Sequence, residues 1–411
     1  MSTTSPRAST SHTSSAARPV GPTRPTGPVS PVDAVRLPDP YPCYAQLVAE
    51  RPFAHDEALG AWVAADAAAV RAVLGSDALR VRPVAEPVPA GIVGTPAGEV
   101  FGDLVRMTDG PVAARLKAVV AEALGRADTA HAARLAARHT REVLAAGGEV
   151  PYEELMFGVP ARVVAELAGL TEGAGREAAR AIGDFVQCIP ASATPAQQRA
   201  AATAAARLRE LIAPPLDAAR AGRSAPAGGG PASGLLAELV GAADRHSWPH
   251  LAPLLSNAVG FLSQTYDATA GLIGNTLVAL ARGAAAPDTP GAVEALVREV
   301  VRYDAPIQNT RRFAAGSFVH AGREVEPGQQ VLVVLAAANR DPAVNPDPDV
   351  LSPGRVNPAV FTFGAAAHRC PGEELAVALA GAVVTELRTA GLTTTATPAY
   401  RPLANARIPL L

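Results

Sequence analysis

Cys370 is followed at once by Pro371-Gly372 and then by the helix-forming run Glu373–Ala390, which places its thiol at the start of a helix. Backbone N–H groups and the helix dipole favour a thiolate there. His368 and Arg369 add positive charge nearby. Cys43 and Cys188 lack such surroundings and are expected to be small buried hydrophobes. A second chemical group is Ser263, Gln264, Thr265, Tyr266, Asp267 and Thr269, set in the middle of an otherwise apolar segment, Leu251–Arg282. Polar groups there are costly unless they are paired or face a cavity; the alternative is a helix that bends outward. A third group is Glu299 and Arg302, three apart on one helix, so that their side chains can meet. Taken alone, such a pair is most often a surface salt bridge.

The elements that must position these groups are mostly helices. His131–Ala146 and Ala200–Ala221 are rich in Ala, Leu and Arg, all good helix formers. Leu251–Arg282 is apolar nearly all round, which predicts a helix buried on every side. Gly283 is placed to end it. Val293, Leu296, Val297, Val300 and Val301 fall at helical spacing and give one apolar face. Gly316–His320, Val331–Ala338 and the Pro327-Gly328 turn predict short strands and a hairpin. The fold class is therefore mainly α with a minor β region.

Residues 1–34, rich in Ser, Thr, Pro and Ala, read as a disordered leader, and Ser224–Gly234 as a flexible loop. Residues 35–411 are expected to form one catalytic domain. The chain carries 36 basic and 38 acidic residues, a formal net charge of −2, which argues against nucleic-acid or polybasic membrane binding. Only one of the 36 basic residues is lysine, Lys117. That bias suggests GC-rich codon usage, as in actinobacteria. Hydrophobic residues make up 48% of the chain and aromatics only 4%, so a large core must be built from Ala, Val and Leu. Three scattered cysteines without a CxxC pair give no disulfide framework and fit a reducing cytoplasm. Neither a signal peptide nor an apolar run long enough for a transmembrane helix is visible.

The segment Phe361–Ala376, FTFGAAAHRCPGEELA, resembles the cysteine loop FxxGxxxCxG of bacterial cytochrome P450s through Phe363, Cys370 and Gly372. Glu299-Val300-Val301-Arg302 is similar to that family's ExxR helix, Arg355 stands where its third charged partner does, and Asn339-Arg340-Asp341-Pro342 matches an ANRDP segment. The resemblance runs from about Leu37 to Leu411. It implies a triangular helical prism with a long central helix over haem b (iron protoporphyrin IX). Cys370 would be the axial iron ligand, favouring O–O cleavage. Phe363, His368 and Ala268 would lie against the haem, and Arg312 and Lys117 would meet its propionates. Glu299, Arg302 and Arg355 would form the network that supports the haem-binding core. The reaction implied is reductive activation of O2 by a monooxygenase, ending in hydroxylation, ring closure or coupling of a small-molecule substrate. Electrons would come from a ferredoxin and ferredoxin reductase docking on the cysteine side of a monomer.

The departures concern function. Ala113 and Lys117 replace a histidine and an arginine, Ala366 replaces a loop glycine, and Ala268 stands at the usual threonine, with Asp267 at the acid and Thr269 one place late. Asp267 and Thr269 are the expected catalytic pair, with Asp267 relaying protons. The implied pocket comprises Val84–Val93, Asp184–Pro190, Gln264–Ala268, Ile307–Asn309 and Leu403–Ile408. Gln264, Thr265, Gln308 and Asn309 could hydrogen-bond a ligand beside Ile307, which points to an amide-bearing or amino-acid-derived substrate in natural-product biosynthesis. The three alanines keep a second class open, a haem-binding sensor or degenerate module that does not turn over.

Overall fold

A computed structural model describes residues 29–190, 192–222, 234–286 and 291–411, together with Met1. Most of the expected leader and of the Ser224–Gly234 loop lies outside these residues. The described end of the leader is folded. Ser30 accepts from the Val32 N–H and caps a helical turn at Pro31–Ala34, and Ala34 is buried. Arg407 donates to the carbonyls of Val35 at 3.0 Å and Leu37 at 2.6 Å. The packed structure thus begins ahead of Leu37.

The expected helices occur as Thr129–Ala145, Pro195–Arg220 and Glu373–Thr389. Local chemistry fixes their starts: Asp128 accepts from the His131 N–H, and Thr194 with Gln197 forms a capping box. The long helix Leu251–Ala281 runs unbroken for 31 residues. Its flank holds Gly271, where a Cβ would lie 2.9 Å from both the Arg407 carbonyl oxygen and Pro306 Cβ. The missing side chain lets the C-terminal segment press onto the helix. Asn275 then locks it, donating to the carbonyls of Asp304 at 2.9 Å and Arg407 at 3.2 Å. Among the described residues no helix is long and apolar enough to cross a membrane.

The helix Ala292–Tyr303 buries all five predicted apolar residues. Glu299 and Arg302 are buried with them, at 3% and 0% exposure, so the surface reading of that pair is overturned.

The main sheet has five strands in the order Phe53–Asp56, Ala61–Ala64, Gln330–Val333, Thr310–Ala314, Leu79–Arg80. Ala61–Ala64 and Gln330–Val333 pair in parallel; the other neighbours are antiparallel. A separate hairpin joins Phe318–His320 to Arg323–Val325. The expected strand Val331–Ala338 is corrected in its second half: Leu335–Asn339 is a short helix. Its alanines favour that state, and the Ala336 N–H donates across to the Gln308 carbonyl at 3.1 Å.

Candidate functional site

Cys370 is held by a loop that is itself tied to the Glu299 helix. The Cys370 N–H donates to the Phe363 carbonyl and the Gly364 N–H to the Phe361 carbonyl, both at 2.7 Å. Asn339 accepts from the Phe361 N–H at 2.6 Å and donates to Thr362 Oγ1 at 2.7 Å; Thr362 donates to the Val301 carbonyl at 2.7 Å. The next residue on that helix, Arg302, meets Glu299 at 2.7 and 3.1 Å. Its remaining N–H groups donate to the carbonyls of Asn339, Pro348 and Val350. Arg355 reaches Glu299 at 3.4 Å, and the Ser352 N–H donates to the same carboxylate at 3.0 Å. The structure thus brings Glu299, Arg302 and Arg355 together, and Asn339 links them to the cysteine loop.

Ala366 adopts φ +52°, the left-handed region. An L side chain there costs about 1–2 kcal/mol. Ala366→Gly is expected to raise stability by about 1 kcal/mol after the entropy of the added glycine is charged, read as a higher denaturant midpoint.

The charges around Cys370 differ from those expected. Arg369 is exposed and pairs with Glu373 at 2.9 Å, and His368 Nε2 pairs with Asp109 at 2.9 Å. Lys117 and Arg106 are the cations that act on the sulfur. Burial pushes the thiol up, while the Gly372 N–H and these cations draw it back. A bound metal ion would supply the missing charge and deprotonate it. Cys188 keeps its expected inert role: it is buried, donates to the Phe185 carbonyl at 3.1 Å, and is pushed up to about 11.

The residues present fit a haem with two propionates. Lys117 is desolvated, which lowers its pKa, and Cys370 is the charge acting on it. It makes no hydrogen bond or ion pair among the described residues. Arg312 is 5% exposed, bonds only Thr310 and the Arg311 carbonyl, and is pulled down to about 10 by burial. His368 Nδ1 is buried without a partner. Lys117 and Arg312 lack the anions their burial demands, His368 adds an unpartnered ring nitrogen, and two carboxylates would meet them. Lys117→Ala is expected to speed haem loss to apomyoglobin by about tenfold or more, with Lys117→Arg between it and wild type. Equal haem loss in all three would make Lys117 an ordinary surface residue.

The polar cluster of the long helix stays on an unbroken helix. Gln264–Ala268 are part-exposed although the residues on both sides are buried. That run is therefore the open part of an otherwise buried helix. Burial raises the Asp267 pKa, against the pull of Arg401 and Arg106. Gln264 and Thr265 each donate back to their own helix, to the carbonyls of Gly260 at 3.1 Å and Phe261 at 2.8 Å. Ala268 and Ile307 are part-exposed, as is Phe363 on the cysteine loop.

Three expectations are corrected. Thr269 is 1% exposed with an unpartnered hydroxyl, so it does not share the open face with Asp267. Gln308 is fully buried and donates to the Ala305 carbonyl at 2.7 Å. Asn309, 2% exposed, donates to the Ala404 carbonyl at 2.8 Å. Both amides serve the scaffold. Sequence reasoning also passed over Arg106 and the Asp109 partner of His368, neither of which has a local pattern.

Comparisons with known proteins agree with this geometry. The family model described as Cytochrome P450 matches residues 292–396. A putative cytochrome P450 133B2 from Xylella fastidiosa (strain 9a5c) is 36% identical over 128 residues, 30% of this chain and 32% of that protein. The matched stretch thus spans about a third of such curated relatives. Over nearly the whole chain, the crystal structure of CalO2 superposes with a TM-score of 0.78 at 26% identity, covering 93% of this chain and 96% of that one. RauA, solved with a biosynthetic intermediate of aurachin RE, shares the fold at a TM-score of 0.72 and 21% identity, covering 94% of this chain and 96% of that one.

Proposed function

The chain belongs to the cytochrome P450 family, and from that premise we propose that it is a haem-thiolate oxidase acting on a small polar molecule, amide- or amino-acid-derived, in natural-product biosynthesis. One observation carries the reading. Two desolvated cations, Lys117 and Arg106, act on Cys370, and Arg106 acts also on Asp267, on the part-exposed run of the long helix.

Bound haem supplies the activation of O2, with electrons from an external donor. Cys370 would hold the iron. Lys117, Arg312 and His368 would hold the propionates, and Phe363 and Ala268 would flank the ring. The Asp267 carboxyl, held above the usual range by burial, keeps its proton to higher pH and can pass it into the space beside it. Ala268 brings no hydroxyl there, so protons would pass through Asp267, water or a polar substrate group. Gln264 has used one amide N–H on Gly260; its carbonyl oxygen and the Thr265 oxygen remain as acceptors for a substrate N–H or O–H. RauA's ligand shows that a protein of this fold takes a biosynthetic intermediate; the case for this chain rests on its polar wall.

The outer side of the cysteine loop has a cavity of about 540 Å³ lined by Arg71, Arg298, Phe361, Phe363, Arg369 and Glu373. A small ferredoxin would dock on that face, where Arg298 and Arg369 are paired with Glu294, Glu374 and Glu373 and Arg71 lies over the Phe361 ring. The test is to titrate holoprotein with matched N-acyl amino-acid amides and plain hydrocarbons while following the haem spin state. Amides are expected to shift it. Tight binding by hydrocarbons alone contradicts the substrate class. Slow, substrate-insensitive reduction with no product, using surrogate ferredoxin and reductase, contradicts the oxidase reading and leaves a sensor.

A further inference from the structure

Arg106 lies in the connection between the helices Pro96–Asp103 and Pro111–Gly125. Its neighbour Val105 is pinned to the long helix, donating its N–H to Asn257 Oδ1 at 3.1 Å. The Arg106 Nε is buried without a partner, and among the described residues the guanidinium makes no hydrogen bond or ion pair. Burial lowers its pKa, while Asp267, Cys370 and Cys188 act to raise it. Those three groups come from the long helix, the cysteine loop and the Asp184–Pro190 segment, so the guanidinium lies within electrostatic reach of all three.

Arg106 shares Cys370 with Lys117 but differs from Arg312 in the acid that acts on it. The acid acting on Arg312 is Asp109, whereas the acid acting on Arg106 is Asp267. Two arginines act on Asp267. Arg401 is already engaged, pairing with Glu153 and lying 4.4 Å over the Phe157 ring. Arg106 carries nothing. A guanidinium whose Nε is buried without a partner is expensive to keep, and its planar fork matches the two oxygens of one carboxylate.

We propose that Arg106 anchors a carboxylate on the substrate, fixing the molecule in the space between Asp267 and Cys370. The proposal rests on the haem-thiolate reading and narrows its substrate class to acids. Asp267 is not consumed by the contact and stays available to protons.

The probes are ω-(imidazol-1-yl)alkanoic acids of increasing chain length and their methyl esters, titrated into holoprotein and read by the Soret shift of an iron-bound imidazole. At least one acid is expected to bind about tenfold or more tightly than its ester. Arg106→Gln is expected to remove that preference with haem content unchanged, and Arg106→Lys to weaken it. Equal binding of acid and ester at every length in wild type overturns the proposal, and that comparison needs no variant. A preference that survives in Arg106→Gln, or haem loss in that variant, also overturns it, the latter by assigning Arg106 to the propionates. No Soret shift with any imidazole contradicts the haem-thiolate reading itself, a failure distinct from the others.

Discussion

Glu299→Ala is expected to lower stability by about 3–5 kcal/mol and to leave the protein unable to retain haem. The carboxylate is the single anion facing both Arg302 and Arg355, and Arg302 is fully buried. Removing it strands a guanidinium with no water to replace the lost partner. The damage would not stay local. Arg302 also holds the Asn339 carbonyl, and Asn339 holds Phe361 and Thr362 at the start of the cysteine loop. Glu299→Gln keeps the shape but loses the charge and is expected to fall between. Urea unfolding with absorbance of bound haem checks both. A loss below about 1 kcal/mol, the range of exposed pairs, would show that the network bears no such load.

Asp267→Asn is expected to reduce turnover by about 10²-fold, with reductant consumed in excess of product. Asparagine fills the same volume but cannot exchange a proton. Burial raises the Asp267 pKa, so the folded state holds that proton more firmly than the unfolded chain does. The contribution to stability is therefore full at low pH and is lost as pH rises through the raised pKa. Turnover that draws on the same proton should fall over that alkaline limb, and Asp267→Asn should flatten the limb. Unchanged rate, coupling and pH profile would remove Asp267 from proton delivery.

What the sequence displayed most clearly was local. The cysteine loop, the apolar stripe of the Glu299 helix and the unbroken long helix all follow from short-range spacing. The strands Phe53–Asp56 and Ala61–Ala64 escaped notice because four residues carry little period, and one of them pairs with Gln330–Val333, far along the chain. Charge placement was legible only in part. His368 and Arg369 adjoin Cys370 in sequence, yet their side chains bond Asp109 and Glu373, while Lys117 and Arg106 arrive from elsewhere. Gln308 and Asn309 read as ligand-binding amides because sequence cannot reveal which polar groups the backbone will claim. Arg106 was hidden among many arginines, and what marks it out among the described residues is a buried Nε together with the lack of any hydrogen bond or ion pair.

The most direct measurement is the absorbance of purified protein, reduced with dithionite under carbon monoxide, for wild type and Cys370→Ala. A thiolate-type Soret band in wild type that vanishes in Cys370→Ala is the expected result. A wild-type protein without that band, or a band that persists in Cys370→Ala, would contradict the assignment of Cys370 as the iron ligand and the function built on it.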